Sequence, residues 1–311
     1  DALAETMADL SDLSSPSFLE YAQDNSKYVD SQEHASDFLR AVAYHYTLGT
    51  SLSSAVLNLM QPVQTTLPIL GSIYGFGKTT TALLVAYKDA AAMFNWGSRF
   101  EPDFLFDNKK RPKHIEEALW KDIQTFVARS GATPVLSDQM GGVRGGQNLT
   151  AREAKIANVG ETATKWASSF FSSAEQINRL TTFIAAWRLA KGSPAAATKH
   201  RNWAGDSSFI GGGSKDMSVG DLASFTVGQT QYNMSKAMRP RFMQGVLGVP
   251  FQFSAYPIRT MELLAKTIFG RGNKSAWQNP AAKSMFISML GVMWLQAGLL
   301  GLPIIGAAAD W

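Results

Sequence analysis

The stretch whose residue types come closest to doing chemistry is Gly71-Ser72-Ile73-Tyr74-Gly75-Phe76-Gly77-Lys78-Thr79-Thr80. A glycine-rich turn ending in Gly-Lys-Thr is how a phosphate-binding loop ends, its backbone N–H groups wrapping the phosphates and its lysine reaching them. The spacing fails, because four residues must separate the two glycines, and the required position holds Ser72 while Gly71 stands one residue too far. Such a loop also follows a buried strand, yet the preceding Pro62-Val63-Gln64-Thr65-Thr66-Leu67-Pro68 carries two prolines unsuited to a central strand. No apolar run ending in Asp supplies a second nucleotide motif, so nucleotide hydrolysis is not expected.

Other chemistries find less support. The histidines, His34, His45, His114 and His200, lie far apart and form no ligand array, so no metal is expected. With no cysteine, a disulfide framework, a thiolate zinc site, an iron–sulfur cluster and a cysteine nucleophile are excluded. Glu116 and Glu117 are adjacent on a helix and point in different directions, which suits a solvated face rather than an acid/base pair. No Gly-x-Ser-x-Gly elbow occurs, and Asn148-Leu149-Thr150 reads as a turn or helix cap rather than a glycosylation site. No catalytic residue, metal or cofactor is expected, and this stretch of chain reads as not an enzyme. An enzymatic domain elsewhere in a parent chain is left open.

The elements that would carry any site are helical. The 311 residues are 45% hydrophobic and only 17% charged, with 18 Phe, 8 Tyr and 8 Trp, so there is ample apolar material to bury and disorder is excluded as the main state. Apolar residues recur at three- and four-residue spacings and seldom alternate, which predicts an all-α chain: an extended multi-helix assembly with long amphipathic helices and Gly/Pro-rich connectors. Residues 1–130 hold 16 acidic and 11 basic side chains, whereas residues 131–311 hold 9 and 18. A basic half suits nucleic acid or anionic lipid, and equally an acidic half of its own chain.

The division expected is a net acidic helical region over 1–130, a Gly-rich connector over 131–149, a basic helical region over 150–279 and an apolar helical segment over 280–311. Pro62 and Pro68 are expected to end a helix that begins near Asp30, and the next helical region, Leu67–Phe94, is expected to break near Gly71, Gly75 and Gly77. Over Lys113–Ser130, Ile115, Leu119, Ile123, Phe126 and Val127 form one face. Ser218 with Asp221 caps a helix beginning at Leu222. The first residues, Asp1 to Leu13, lack the pattern of a signal peptide. The opening Asp1 and the closing Ala309-Asp310-Trp311 read as the ends of a piece of a longer polypeptide.

Three segments look like packing and assembly signals. Trp166, Phe170, Ala174, Ile177, Thr181, Ile184 and Arg188 step by fours and threes, a heptad-like seam ending at Lys191-Gly192-Ser193-Pro194. With Arg179 and Trp187, this helix is the expected assembly helix. Arg239 and Arg241 suit phosphates, while Phe251, Phe253 and Tyr256 suit bases or a partner groove; buried arginines paired with carboxylates are the competing reading. Met285–Ala309 runs 25 residues without a charge. About 20 apolar residues cross a bilayer, which makes Met285, Phe286, Leu290, Trp294, Leu299 and Leu300 candidate membrane contacts, against burial in a protein assembly.

The run from Lys165-Trp166 through Ala174-Glu175-Gln176-Ile177-Asn178-Arg179 to Trp187-Arg188-Leu189-Ala190 resembles the large polyvalent proteins of tailed phages and prophages. So do Met238-Arg239-Pro240-Arg241-Phe242, Pro250-Phe251-Gln252-Phe253 and the upstream run Leu52 to Lys78. The resemblance covers roughly residues 35–305, and its motifs are not tied to catalysis. It implies a protein similar to the internal virion (ejection) proteins of short-tailed phages, packaged in the virion interior and released into the host cell envelope. Its expected role is a structural subunit of a conduit for genome delivery, alongside other ejection or core proteins and copies of itself, with genomic DNA and the host inner membrane as further expected contacts. The alternative is a DNA- or partner-binding accessory domain of a large virion-associated enzyme.

Overall fold

A proline inside a helix has no N–H to give, and its ring collides with the carbonyl one turn back. The expectation that Pro62 and Pro68 stop a helix is nevertheless corrected by the computed structural model, which describes residues 59–93, 111–129, 174–207, 217–231, 255–269 and 280–297. Pro62–Thr66 form a π-helical turn that runs into helix α1, Leu67–Tyr74, with Thr66 and Leu67 both at helical dihedral angles. The Leu67 N–H reaches back to the Pro62 carbonyl. That longer bond widens the turn just ahead of the Pro68 ring, and the backbone passes through the proline without stopping.

Helix α2, Phe76–Met93, follows α1 with Gly75 alone between them. Of the three glycines expected to break this region, only Gly75 does so, at φ +93° and ψ 136°. Gly71 sits inside α1, where the Phe76 ring lies so close that a Cβ would come within 2.5 Å of it. An L side chain at the Gly75 dihedrals is strained, and we expect Gly75→Ala to lower stability by about 1–3 kcal/mol. A thermal melt of the variant that superimposes on the parent would refute this.

The remaining helices are α3 (Glu117–Ala128), α4 (residues 174–192), α5 (Pro194–Ser207), α6 (Val219–Thr230), α7 (Ala255–Phe269) and α8 (Pro280–Ala297). The described residues are 90% helical and include no strand, so the fold class is all-α. The chain divides into two compact units: Asp1–Asn58, Pro134–Glu175 and Asn233–Tyr256 make one, and Leu59–Thr133, Gln176–Tyr232 and Pro257–Trp311 the other. Nearly all described residues belong to the second, whose packing is as follows.

The expected apolar face of α3 is its buried face. Leu119, Ile123 and Phe126 point into the core with Trp120, and Ile115 joins them from the preceding turn. Phe126 stacks on Phe183 of α4 at 4.5 Å. Helix α4 is buried around its whole circumference, all but Gln176 and Arg188 being covered between residues 174 and 190, as befits a central helix rather than one with a single seam. It stops at Gly192-Ser193, where Pro194 opens α5. Ser218 caps α6, its hydroxyl accepting the Asp221 N–H at 3.1 Å as the sequence predicts, one turn ahead of the expected start. Helix α8 packs on α1, where the Ser72 hydroxyl donates to Ser284 at 3.0 Å.

Candidate functional site

The Gly-Lys-Thr stretch is built into two helices. Residues 71–74 complete α1, and Phe76 to Thr80 form the first turns of α2. A phosphate loop presents successive N–H groups outward, whereas here the Gly75 N–H is bonded to the Gly71 carbonyl and the Thr79 N–H to the Gly75 carbonyl. The glycines therefore serve the helix-to-helix turn.

Among the expected assembly residues, Ile177, Arg179, Ile184 and Trp187 are at most 5% exposed within this chain's own core. Trp166 and Phe170 lie outside the described residues, as do Arg239, Arg241, Phe251 and Phe253; Tyr256 falls in α7. Of the expected membrane contacts, Met285 is buried in the core with Met289, Phe286 and Leu290 are half-buried, and Trp294 is exposed. Leu299 and Leu300 lie outside the described residues. No helix among the described residues is long and apolar enough to cross a membrane. The outward side of α8 carries Ile287, Trp294 and Leu295, which are 64%, 48% and 77% exposed.

Three polar groupings have no signature in the sequence. Asp89 of α2 is buried, and its carboxylate meets His114 Nε2 at 2.9 Å on one oxygen and the Arg188 guanidinium at 2.6 Å on the other. The Arg188 contact is an ion pair lying off the N–H axis. His114 is largely exposed, so one end of this array touches solvent and the other belongs to α4.

His200 of α5 is fully buried, with Tyr74 Oη 3.0 Å from Nδ1 and Thr226 Oγ1 3.0 Å from Nε2. Thr226 spends its own proton on the Leu222 carbonyl, at 2.8 Å. Its oxygen therefore accepts from Nε2–H, and Tyr74 donates to Nδ1, which fixes the neutral imidazole in one tautomer. Burial, and then the positive charge of Arg201, hold the His200 pKa down at about 3, while burial drives the Tyr74 phenol upward.

A buried cluster of hydroxyls joins three elements. Thr66 Oγ1 donates to Thr230 Oγ1 at 3.1 Å and lies 3.2 Å from Thr182 Oγ1, while Gln231 Nε2 donates to Thr182 at 3.2 Å. Thr65 Oγ1 lies 2.9 Å from the Thr230 carbonyl. These bonds tie the π-helical turn to α4 and α6. A fourth polar tie pins α3 to α4, the Trp187 indole N–H donating to Asp122 at 2.6 Å, with Lys191 4.8 Å over the Trp187 ring and paired with Glu116.

Between α2 and α4 lies an open groove of about 480 Å³ lined by Gly77, Thr81, Ala82, Val85 and Leu189, with Lys78 and Arg188 as its charged residues. No group of histidines and carboxylates among the described residues could hold a metal ion.

These features define an all-helical unit with a polar-stitched core, apolar residues on its outer helices and one cation-edged groove. No family model, curated protein or solved structure matches the chain.

Proposed function

We propose that this chain is a structural subunit of a phage internal core or ejection apparatus, released into the host to build, with other ejected proteins, part of a trans-envelope conduit for the genome. The residue runs around Ala174–Ala190 and Leu52–Lys78 support the family reading. The observation that carries an assembly role is α8. Met285 and Met289 occupy the core on one side, yet the opposite side offers Ile287, Trp294 and Leu295 to solvent. A helix apolar on both sides is fitted to a second burial, against a neighbouring subunit or a lipid surface. Trp294 adds an amphipathic ring of the kind enriched at such boundaries.

Electron microscopy and mass photometry of the purified protein, with and without liposomes of mixed zwitterionic and anionic lipid, test this. Rings or tubes of fixed symmetry, or lipid-bound oligomers, are expected for the parent protein. Ile287→Glu with Trp294→Glu should abolish them while leaving the helical circular dichroism unchanged. A monomer indifferent to lipid would overturn the proposal, and salt-sensitive DNA binding lost with Arg239 and Arg241 would replace it with the accessory-domain reading.

A further inference from the structure

We infer that the groove between α2 and α4 is the seat of an acidic amphipathic helix from a partner protein. This goes beyond the assembly role by naming the chemistry of a partner, and it rests on that reading only in supposing that the chain has partners.

The shape comes from the residues of α2. Gly77, Thr81 and Ala82 are small, so the groove is deep on that side, and Val85 with Leu189 of α4 makes it apolar. Leu84, 65% exposed, and Val85, 45% exposed, stand at its lip. Lys78, Thr81, Val85 and Lys88 recur at three- and four-residue spacings along the outer side of α2, a track of about 15 Å at 1.5 Å per residue. An amphipathic helix laid in such a track would place residues at i, i+3 or i+4, and i+7 on the apolar floor.

The charge is of one sign. Lys78 and Arg188 line the groove, and Lys88, exposed, follows one turn beyond Val85. The nearest described carboxylate, Asp89, is buried and turned onto Arg188 and His114, leaving no acidic side chain among the lining residues. A second copy docking by the same surface would set these cations against their equivalents, a juxtaposition that costs several kcal/mol. Carboxylates flanking an apolar stripe complement them instead. A bilayer is met by protruding side chains such as Trp294 and Leu295 rather than by a concavity. Duplex DNA offers phosphates but nothing to cover Val85 and Leu189.

Fluorescence anisotropy of the full chain tests this with a labelled helical peptide of about 18 residues, long enough to be partly helical, bearing leucines on one face and glutamates beside them. A lysine-for-glutamate peptide is the control. The acidic peptide should bind and the basic one should not, and Lys78→Glu and Val85→Glu should each weaken binding roughly tenfold or more. Both positions are exposed, so the variants should keep the parent's circular dichroism and melting temperature. Equal binding of both peptides, binding indifferent to either variant, or displacement of the peptide by oleate or by duplex DNA would each overturn the inference. Subunit assembly is read separately through α8, so loss of peptide binding with assembly intact rejects the groove alone.

Discussion

Lowering the pH from 7 to 3 should remove on the order of 4 kcal/mol of stability through His200 alone, a large share of what holds a domain together. The folded protein keeps this imidazole neutral with a pKa near 3, well below the 6.5 of the free side chain, because the ring is buried and Arg201 stands beside it. The unfolded chain takes up a proton below about 6.5 and the folded chain does not, so protons favour unfolding. The contribution is fully present above pH 6.5, is lost progressively as the pH falls toward 3, and changes no further below that. No bond in the site can take up the charge cheaply. Tyr74 already donates to Nδ1, Thr226 accepts from Nε2, and Arg201 is held near the ring by its own bond to the Met217 carbonyl at 2.9 Å. Carboxylates titrate in the same window, so the informative quantity is a difference. Urea midpoints should be measured from pH 7.5 to 3.5 for the parent and for His200→Gln, which offers an amide donor and acceptor but does not ionise. The two curves should converge as the pH falls; parallel curves would show that His200 does not carry the effect.

What could be read from residue types and what could not divides along a physical line. The face of α3 was legible because Ile115, Leu119, Ile123 and Phe126 contrast with the charged residues between them, and contrast at a helical period is what a sequence displays. Ser218 as a cap and Gly192-Ser193-Pro194 as a stop were legible for the same reason, both being local. Pro62 and Pro68 misled because the π-turn that absorbs them depends on the pairing of a whole turn, not on one residue. In α4 the stepping apolar residues suggested one seam, yet Thr181, Thr182, Ala185 and Ala186 are buried too, small side chains letting neighbouring helices approach from every side. In α8 there is no polar face to mark the outside, so the pattern could not tell Met285 and Met289, which are inside, from Ile287 and Leu295, which are not. The polar arrays were invisible because their members lie far apart: Asp89 and Arg188 meet only when α2 and α4 pack.

Replacing Arg188 with methionine should cost about 3–5 kcal/mol, whereas replacing Arg188 and Asp89 together with methionine and leucine should cost far less. The asymmetry follows from where the charge sits. Asp89 is 3% exposed, and a carboxylate so placed is tolerable only while positive charge stands against it. Arg188 supplies that charge permanently, since a guanidinium does not lose its proton. His114, 58% exposed on its side chain, can supply it only when protonated. Removing Arg188 alone therefore strands a buried anion, while removing both partners exchanges an ion pair that has paid its desolvation for apolar contacts in a site already walled by Leu83, Ala86 and Ala90. Chemical denaturation of the two single variants and the double variant, compared as a cycle, gives the coupling directly. A strong positive coupling, the double variant being much more stable than the two single losses would sum to, is the expected result. Additive losses would mean that Asp89 is balanced by His114 or by water, and that Arg188 contributes only its aliphatic stem. The arginine single variant should also be the more acid-tolerant relative to the parent, because protonating an orphaned Asp89 relieves the defect, so the deficit of Arg188→Met should narrow as the pH falls below neutrality.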